Sequence, residues 1–313
     1  MTTLLWILIL ILAGLLLITR LIWRWAERRV PPVGKFCPVK GGVIHYVEAG
    51  DADKPVLVLI HGLAGMLQHF SYGMLEPLSR EYRVIALDRP GCGYSTRDRD
   101  ELAAPLVQAR MIWGFLDRIG VENPVLVGHS LGGAMALAMA LERPGGARAL
   151  ALICPASQSP GTIPEVFRPF EVASPVVRRV IGNLLAVPMG WLTTDKVMKA
   201  VFEPEPWPRD FLERGGAMLT YRPSAFVGAS ADLVEARNAV DDMTARYRDE
   251  LKTPGAILFG REDAILSPDL HGTAMAEFGL TCEMVEGRGH MLPVTDPDAC
   301  CNFVRRVADI IKP

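Results

Sequence analysis

The pentapeptide Gly128-His129-Ser130-Leu131-Gly132 lies between the apolar run Pro124-Val125-Leu126-Val127 and the small-residue stretch Gly133-Ala134-Met135-Ala136-Leu137. This order predicts a buried strand, a sharp turn and a helix, the arrangement called a nucleophile elbow. Such a turn strains the backbone of its central residue. It also brings strand and helix so close that side chains at the flanking positions would strike them, and glycines stand there. Ser130 is then presented at the start of a helix, where the Leu131 N–H is one of the donors that the helix leaves unpaired. That N–H can face a negative charge developing beside the serine oxygen.

A chain of 313 residues, half of them hydrophobic, can bury one large core, and it reads as a single domain carrying an insertion rather than two independent domains. The net charge is −2. With no Lys/Arg-rich tail or stripe in the globular part, nucleic acid is not an expected partner. The cysteines Cys37, Cys92, Cys154, Cys282, Cys300 and Cys301 show neither CxxC pairing nor the density of a disulfide scaffold. They read as buried or incidental thiols, and neither zinc nor any other metal is expected.

The first thirty residues differ from everything after them. Leu4 to Ile18 carry no charge, and with Thr2 and Thr3 before them and Leu21 to Trp25 after Arg20 the stretch approaches the ~20 residues that span a bilayer. Residues 1–30 therefore read as an uncleaved membrane anchor with a basic flank. A cleaved signal peptide would place basic residues before the apolar run and a small-residue cleavage site after it, whereas Arg20, Arg24, Arg28 and Arg29 all follow. Trp23 and Trp25 stand where an aromatic belt would lie. The arginines place their side of the membrane in the cytoplasm, so the expectation is a single-pass membrane protein with its globular domain cytoplasmic.

After Pro31-Pro32, strands are expected at Gly42–Val47, Pro55–Ile60, Arg83–Leu87, Pro124–Val127 and Ala149–Cys154. Helices are expected near Ala104 to Ile119 and from the elbow to about Arg143. Strands that are apolar on both faces and separated by helices indicate a parallel sheet. From 156 to 251 the alternation stops, and amphipathic patterns broken by prolines suggest an inserted helical lid. Strand patterns resume at Ala256–Gly260 and Cys282–Val285, and a closing helix runs from about Pro297 to Ile311. The chain thus divides into an anchor (1–30), an α/β core (31–155 and 252–313) and a lid (156–251).

A serine becomes nucleophilic near neutral pH only beside a base, and a carboxylate must hold that base in the right tautomer. After an elbow these follow in the order acid, then histidine, at the ends of late strands. Gly260-Arg261-Glu262-Asp263 and Gly287-Arg288-Gly289-His290 are so placed. The candidates are Ser130 as nucleophile, His290 as base and then acid, and Asp263 as the orienting carboxylate. Glu262 could take Asp263's place, while Asp296 or Asp298 could cap the last helix. His129 lies inside the elbow and points away from the serine, His271 falls on an expected helix as a surface or core residue, and His45 and His69 have no acid-bearing context. His61-Gly62-Leu63-Ala64-Gly65 follows a buried strand and can bring the Leu63 N–H opposite that of Leu131 as an oxyanion hole.

With His61-Gly62, Asp88-Arg89-Pro90-Gly91-Cys92-Gly93-Tyr94-Ser95, the Gly128–Gly133 elbow, Gly260-Arg261-Glu262-Asp263 and Gly289-His290 in hand, the chain resembles the α/β-hydrolase superfamily over nearly everything after the anchor. The resemblance implies an α/β fold with a mostly parallel eight-stranded sheet and a helical lid between strands six and seven. Within the superfamily the chain is similar to the haloperoxidase, epoxide-hydrolase and esterase-like branch. Epoxide hydrolases and haloalkane dehalogenases carry aspartate at the elbow, and Ser130 argues against both activities. The expectation is a cofactor-free serine hydrolase of a small-molecule carboxylic ester. Phe167, Phe170, Val176, Val177, Leu184, Leu185, Met189, Trp191, Trp207, Phe211 and Met218 in the lid favour an apolar or lipid-like acyl group. Similar triads cleave carbon–carbon bonds in diketone-like compounds or perform perhydrolysis, and a membrane-tethered binding protein using the fold as a scaffold is the alternative of another kind. Nothing in the sequence identifies a protein partner.

Overall fold

The computed structural model describes residues 2–159 and 161–309. Met1, Pro160 and residues 310–313, which the expected anchor, lid and core ranges include, lie outside the described residues, as does the expected end of the last helix at Ile311.

The strands are β1 (Lys35–Val39), β2 (Gly42–Ala49), β3 (Val56–Ile60), β4 (Arg83–Leu87), β5 (Thr96–Arg97), β6 (Val125–His129), β7 (Ala149–Ile153), β8 (Gly255–Gly260) and β9 (Thr281–Val285). Eight of them form one path in the order β1-β2-β4-β3-β6-β7-β8-β9, and the two-residue β5 pairs with β2. From β4 to β9 the pairing is parallel, and β1, β2 and β5 join antiparallel. β1 was not expected from the sequence. Its Pro38 and largely exposed side chains leave no alternating pattern, and it exists because the turn at Gly41-Gly42 folds it back on β2.

The central strands β3, β4, β6 and β7 are buried on both faces, as their continuous Val, Leu, Ile and Ala runs require. The elbow helix Leu131–Glu142 is buried on every side from Leu131 to Leu141. The chain leaves β3 toward β4 on one side and β6 toward β7 on the other, so the order reverses between β3 and β6. In open α/β sheets the crevice at the carboxyl ends of such strands is where ligands bind. The loops after β3 and β6 carry Leu63 and Ser130.

Between β7 and β8 the described residues contain helices and no strand, including Pro175–Ile181, Val187–Phe202 and Pro223–Glu250. The last is 28 residues long, about 42 Å at 1.5 Å per residue. It starts among the helices of this insertion and returns to the main core, where Met243 and Tyr247 are buried and the Tyr247 hydroxyl donates to the Ser157 carbonyl at 3.0 Å.

One N-terminal helix, Thr2–Arg29, is long and apolar enough to cross a membrane. It continues past Arg20 and docks on the domain through Thr19, Ile22 and Ala26, which are buried. Ile22, Ala26 and Val30 pack with Met66, Val187, Met218, Leu219 and Tyr221. Arg29 pairs with Glu213, and Arg222 Nε lies 3.1 Å from Glu27.

Candidate active site

Ser130 has φ 54° and ψ −123°, a backbone state that non-glycine residues rarely adopt. It persists because Ser130 N donates to the Ile153 carbonyl at 3.0 Å, while its carbonyl accepts from Gly133 at 2.8 Å and Ala156 at 2.9 Å. A Cβ on Gly132 would stand 2.0 Å from the Ile60 carbonyl oxygen, and one on Gly62 would stand 2.8 Å from Ser130 Cβ. Glycine at these two positions lets the elbow and the loop after β3 touch.

The structure brings the three sequence-predicted side chains together. Ser130 Oγ lies 2.9 Å from His290 Nε2, and His290 Nδ1 lies 2.7 Å from Asp263 Oδ2. Asp263 Oδ1 accepts the N–H groups of Ile265 and Leu266 at 2.8 and 2.9 Å. All three residues are buried. Glu262 does not reach the imidazole: its carboxylate accepts the Arg288 N–H at 3.0 Å and ties the two loops together. Asp296 accepts the Ala299 N–H at 3.1 Å, a helix cap. Leu63 and Leu131 both line the cleft beside Ser130, and among the described residues no acceptor takes either N–H.

Several contributors escaped sequence reasoning. His45 pairs with Asp88 at 2.7 Å in the core, so the reading that it had no acid nearby is wrong. The two residues are 43 positions apart and meet only because β2 and β4 are neighbours. His129 Nε2 donates to the His290 carbonyl at 3.0 Å and supports that backbone. Glu205 of the lid accepts the Gly289 N–H at 2.7 Å. Arg89, fully buried, donates to the carbonyls of His61 at 2.9 Å and Gly62 at 3.1 Å, and to Asp232 of the long lid helix at 2.7 Å. Asp232 also accepts from Arg97 at 2.7 Å and Gln108 at 3.1 Å.

Cys154 is a further potential metal donor near the triad: ligand atoms of Cys154, Asp263 and His290 lie within 4.8 Å of one another. Burial and the Asp263 charge push the Cys154 thiol well above its usual range, so it stays protonated. A neutral thiol is a poor metal ligand, and this one is a passive neighbour of the carboxylate.

Ser130 opens into a cleft of about 880 Å3, counting its open mouth. Its walls include Ile163, Phe167, Leu233, Ala236, Val240, Ile265 and Leu266, with Gln158 and Arg237 as polar members. Of the apolar lid residues expected to favour an acyl chain, Phe167 lines this cleft. Trp207 and Phe211 instead pack in one cluster with Phe202, Met291 and Val294, Met218 packs with Ile22, Ala26 and Met66, Trp191 stacks on Trp25, and Val176, Val177, Leu185 and Met189 face outward.

A family model described as alpha/beta hydrolase fold matches residues 55–297. Over 296 residues, 90% of this chain and 99% of the relative, the sequence is 25% identical to a Bacillus subtilis protein named uncharacterized hydrolase YugF. It is 28% identical over 242 residues, 72% of this chain and 77% of the relative, to a 2-hydroxy-6-oxononadienedioate/2-hydroxy-6-oxononatrienedioate hydrolase of Paraburkholderia phymatum. The crystal structure of a membrane phospholipase A superposes with a TM-score of 0.69 at 23% identity, covering 99% of this chain and 98% of that one. At that identity the likeness shows the fold alone.

Proposed function

The chain belongs to the alpha/beta hydrolase family, and within it we propose a serine hydrolase that cleaves a carboxylic ester with an apolar or lipid-like acyl group. The observation that carries this reading is Ser130 Oγ at 2.9 Å from His290 Nε2, at the floor of an apolar cleft. Ser130 Oγ attacks the ester carbonyl carbon while His290 Nε2 takes its proton. The Leu63 and Leu131 N–H groups receive the oxyanion, and Asp263 holds the imidazole with Nδ1–H toward it. Collapse of the tetrahedral intermediate expels the alcohol, which leaves with the proton from His290. Water then attacks the acyl-enzyme with His290 as base, releasing the acid and restoring Ser130.

A fluorophosphonate probe should label the wild type and not Ser130→Ala, and turnover of p-nitrophenyl esters should rise with acyl length. A folded wild type that takes no label would overturn the assignment and favour a binding scaffold. A second reading, hydrolysis of a carbon–carbon bond, is favoured by the Paraburkholderia relative and by Arg237 on the cleft wall. Turnover of a chromophoric 2-hydroxy-6-oxodienoate above that of any ester would select it.

The helix Thr2–Arg29 is read as a single-pass anchor with the domain on the cytoplasmic side, because Arg20, Arg24, Arg28 and Arg29 lie on the domain side of its apolar run. In right-side-out membranes the domain should resist added protease. Cleavage there would reverse the orientation.

A further inference from the structure

Apart from the N-terminal helix, the linker residue Val33 and Phe36 of the edge strand β1, the exposed large hydrophobic side chains all fall in one stretch, 176–192, among the described residues. Val176 and Leu192 are 72% and 80% exposed, and Val177, Val180, Leu185 and Met189 lie beside them in the chain. Leu185, Met189 and Leu192 recur at helical spacing and so share one face. A soluble surface rarely concentrates its apolar side chains in this way, and such a patch marks an interaction surface.

The position of the patch identifies its partner. The turn Gly182–Ala186 and the helix Val187–Phe202 pack directly on the N-terminal helix, and Trp191 stacks on Trp25 with ring centroids 5.6 Å apart. The first buried residue of the N-terminal helix is Thr19. From Thr2 to Thr19 the helix rises about 26 Å, close to the ~30 Å hydrocarbon thickness of a bilayer. Docking therefore begins where the hydrocarbon ends. From Thr19 to Ala26 the helix climbs about another 10 Å, the depth over which interfacial helices bury their apolar faces. The exposed Arg20 and Arg24 stand at the same level, where guanidinium groups meet lipid phosphates and tryptophans concentrate.

We propose that the lid face formed by Val176, Val177, Val180, Leu185, Met189 and Leu192 is seated in the lipid bilayer beside the anchor, with anionic headgroups against Arg20 and Arg24. This rests on the reading of the N-terminal helix as a membrane span. The lid that walls the acyl cleft then lies at the source of a lipid-like substrate rather than facing water.

The test uses the full-length protein in nanodiscs of phosphatidylcholine and phosphatidylglycerol, labelled with an environment-sensitive fluorophore at Leu10→Cys, Leu192→Cys or Glu122→Cys, with wild-type labelling subtracted. Spin-labelled lipid should quench Leu10 and Leu192 and leave Glu122, on the loop before β6, unquenched. Quenching at Leu10 but not Leu192 overturns the lid proposal and leaves the anchor standing; a blue-shifted but unquenched Leu192 would assign the patch to a second protein copy. No quenching at Leu10 overturns the anchor and the proposal with it. In parallel, Leu185→Glu with Leu192→Glu should lower hydrolysis of a bilayer-held ester at least tenfold while p-nitrophenyl butyrate turnover is unchanged. Equal rates on both substrates would also overturn the proposal.

Discussion

Glu262 and Asp263 are adjacent acids, and only the direction of the loop after β8 separates their roles. Asp263 points inward, where two backbone N–H groups fix one oxygen and leave the other on His290. An amide there keeps the shape but offers an N–H to a nitrogen that must itself donate, so the imidazole is held in the wrong tautomer. Asp263→Asn is therefore expected to lower kcat by about 10⁴, with the far-UV spectrum and fluorophosphonate-site accessibility unchanged. Glu262→Gln, at a partly exposed bond to Arg288 N, should leave kcat within about twofold and stability within about 0.5 kcal/mol. Equal losses in the two variants would sink the assignment of Asp263. Sequence alone could not separate these neighbours, because both follow the same strand. Ser130 and His290 were legible because a strained turn and a strand end each leave a local signature, whereas the His45–Asp88 pair leaves none: its partners are distant in the chain.

The loop after β3 is held from an element far away in sequence. Peptide planes are trans, so fixing the Gly62 carbonyl on Arg89 aims the Leu63 N–H the opposite way, toward the cleft that Leu63 lines. Arg89 is fixed in turn by Asp232 on the long lid helix. That helix thereby helps set the direction of the N–H proposed as an oxyanion donor. Arg89→Lys keeps the charge but cannot span both carbonyls and the carboxylate, since the planar fork is lost. Its kcat should fall about 10²-fold, the scale of one misplaced oxyanion donor, with KM for a short ester unchanged and the circular dichroism spectrum retained. A rise in KM at constant kcat would instead make Arg89 part of the substrate pocket. This coupling was invisible in sequence, where Asp88-Arg89-Pro90-Gly91 carries part of the family resemblance and nothing links it to Asp232, 143 positions away. The parallel strands were legible because burial on both faces leaves continuous apolar runs, while the roles of the inserted helices were not, because their apolar residues divide between the cleft, the contacts with the N-terminal helix and the core, and the outer face. The sorting depends on how the helices pack.

At the scale of the whole molecule, folding buries a set of neutral imidazoles. His61 Nε2 accepts the Arg89 N–H at 2.9 Å while Nδ1 donates to the Gly62 carbonyl at 2.9 Å. His271 Nδ1 accepts the Gln158 N–H at 3.3 Å. Burial lowers His61 and His129 well below the usual histidine range and takes His69 and His271 down to about 4. Each of these folded values lies below the ~6.5 of an unfolded histidine. The stability they contribute is therefore complete above pH 6.5 and is lost as the pH falls, because the unfolded chain gains protons that the folded one refuses. Between pH 6.5 and about 4 the loss from His69 and His271 approaches about 1.4 kcal/mol per pH unit for each. The melting temperature should hold steady from pH 8 to 7 and drop increasingly steeply toward pH 5, and His271→Gln should make that drop shallower by the contribution of one proton. A melting temperature flat from pH 8 to 5 would show that these imidazoles are hydrated in solution. The acid loss reaches the site as well: His61 braces the loop that carries Leu63, and His129 braces the backbone of His290.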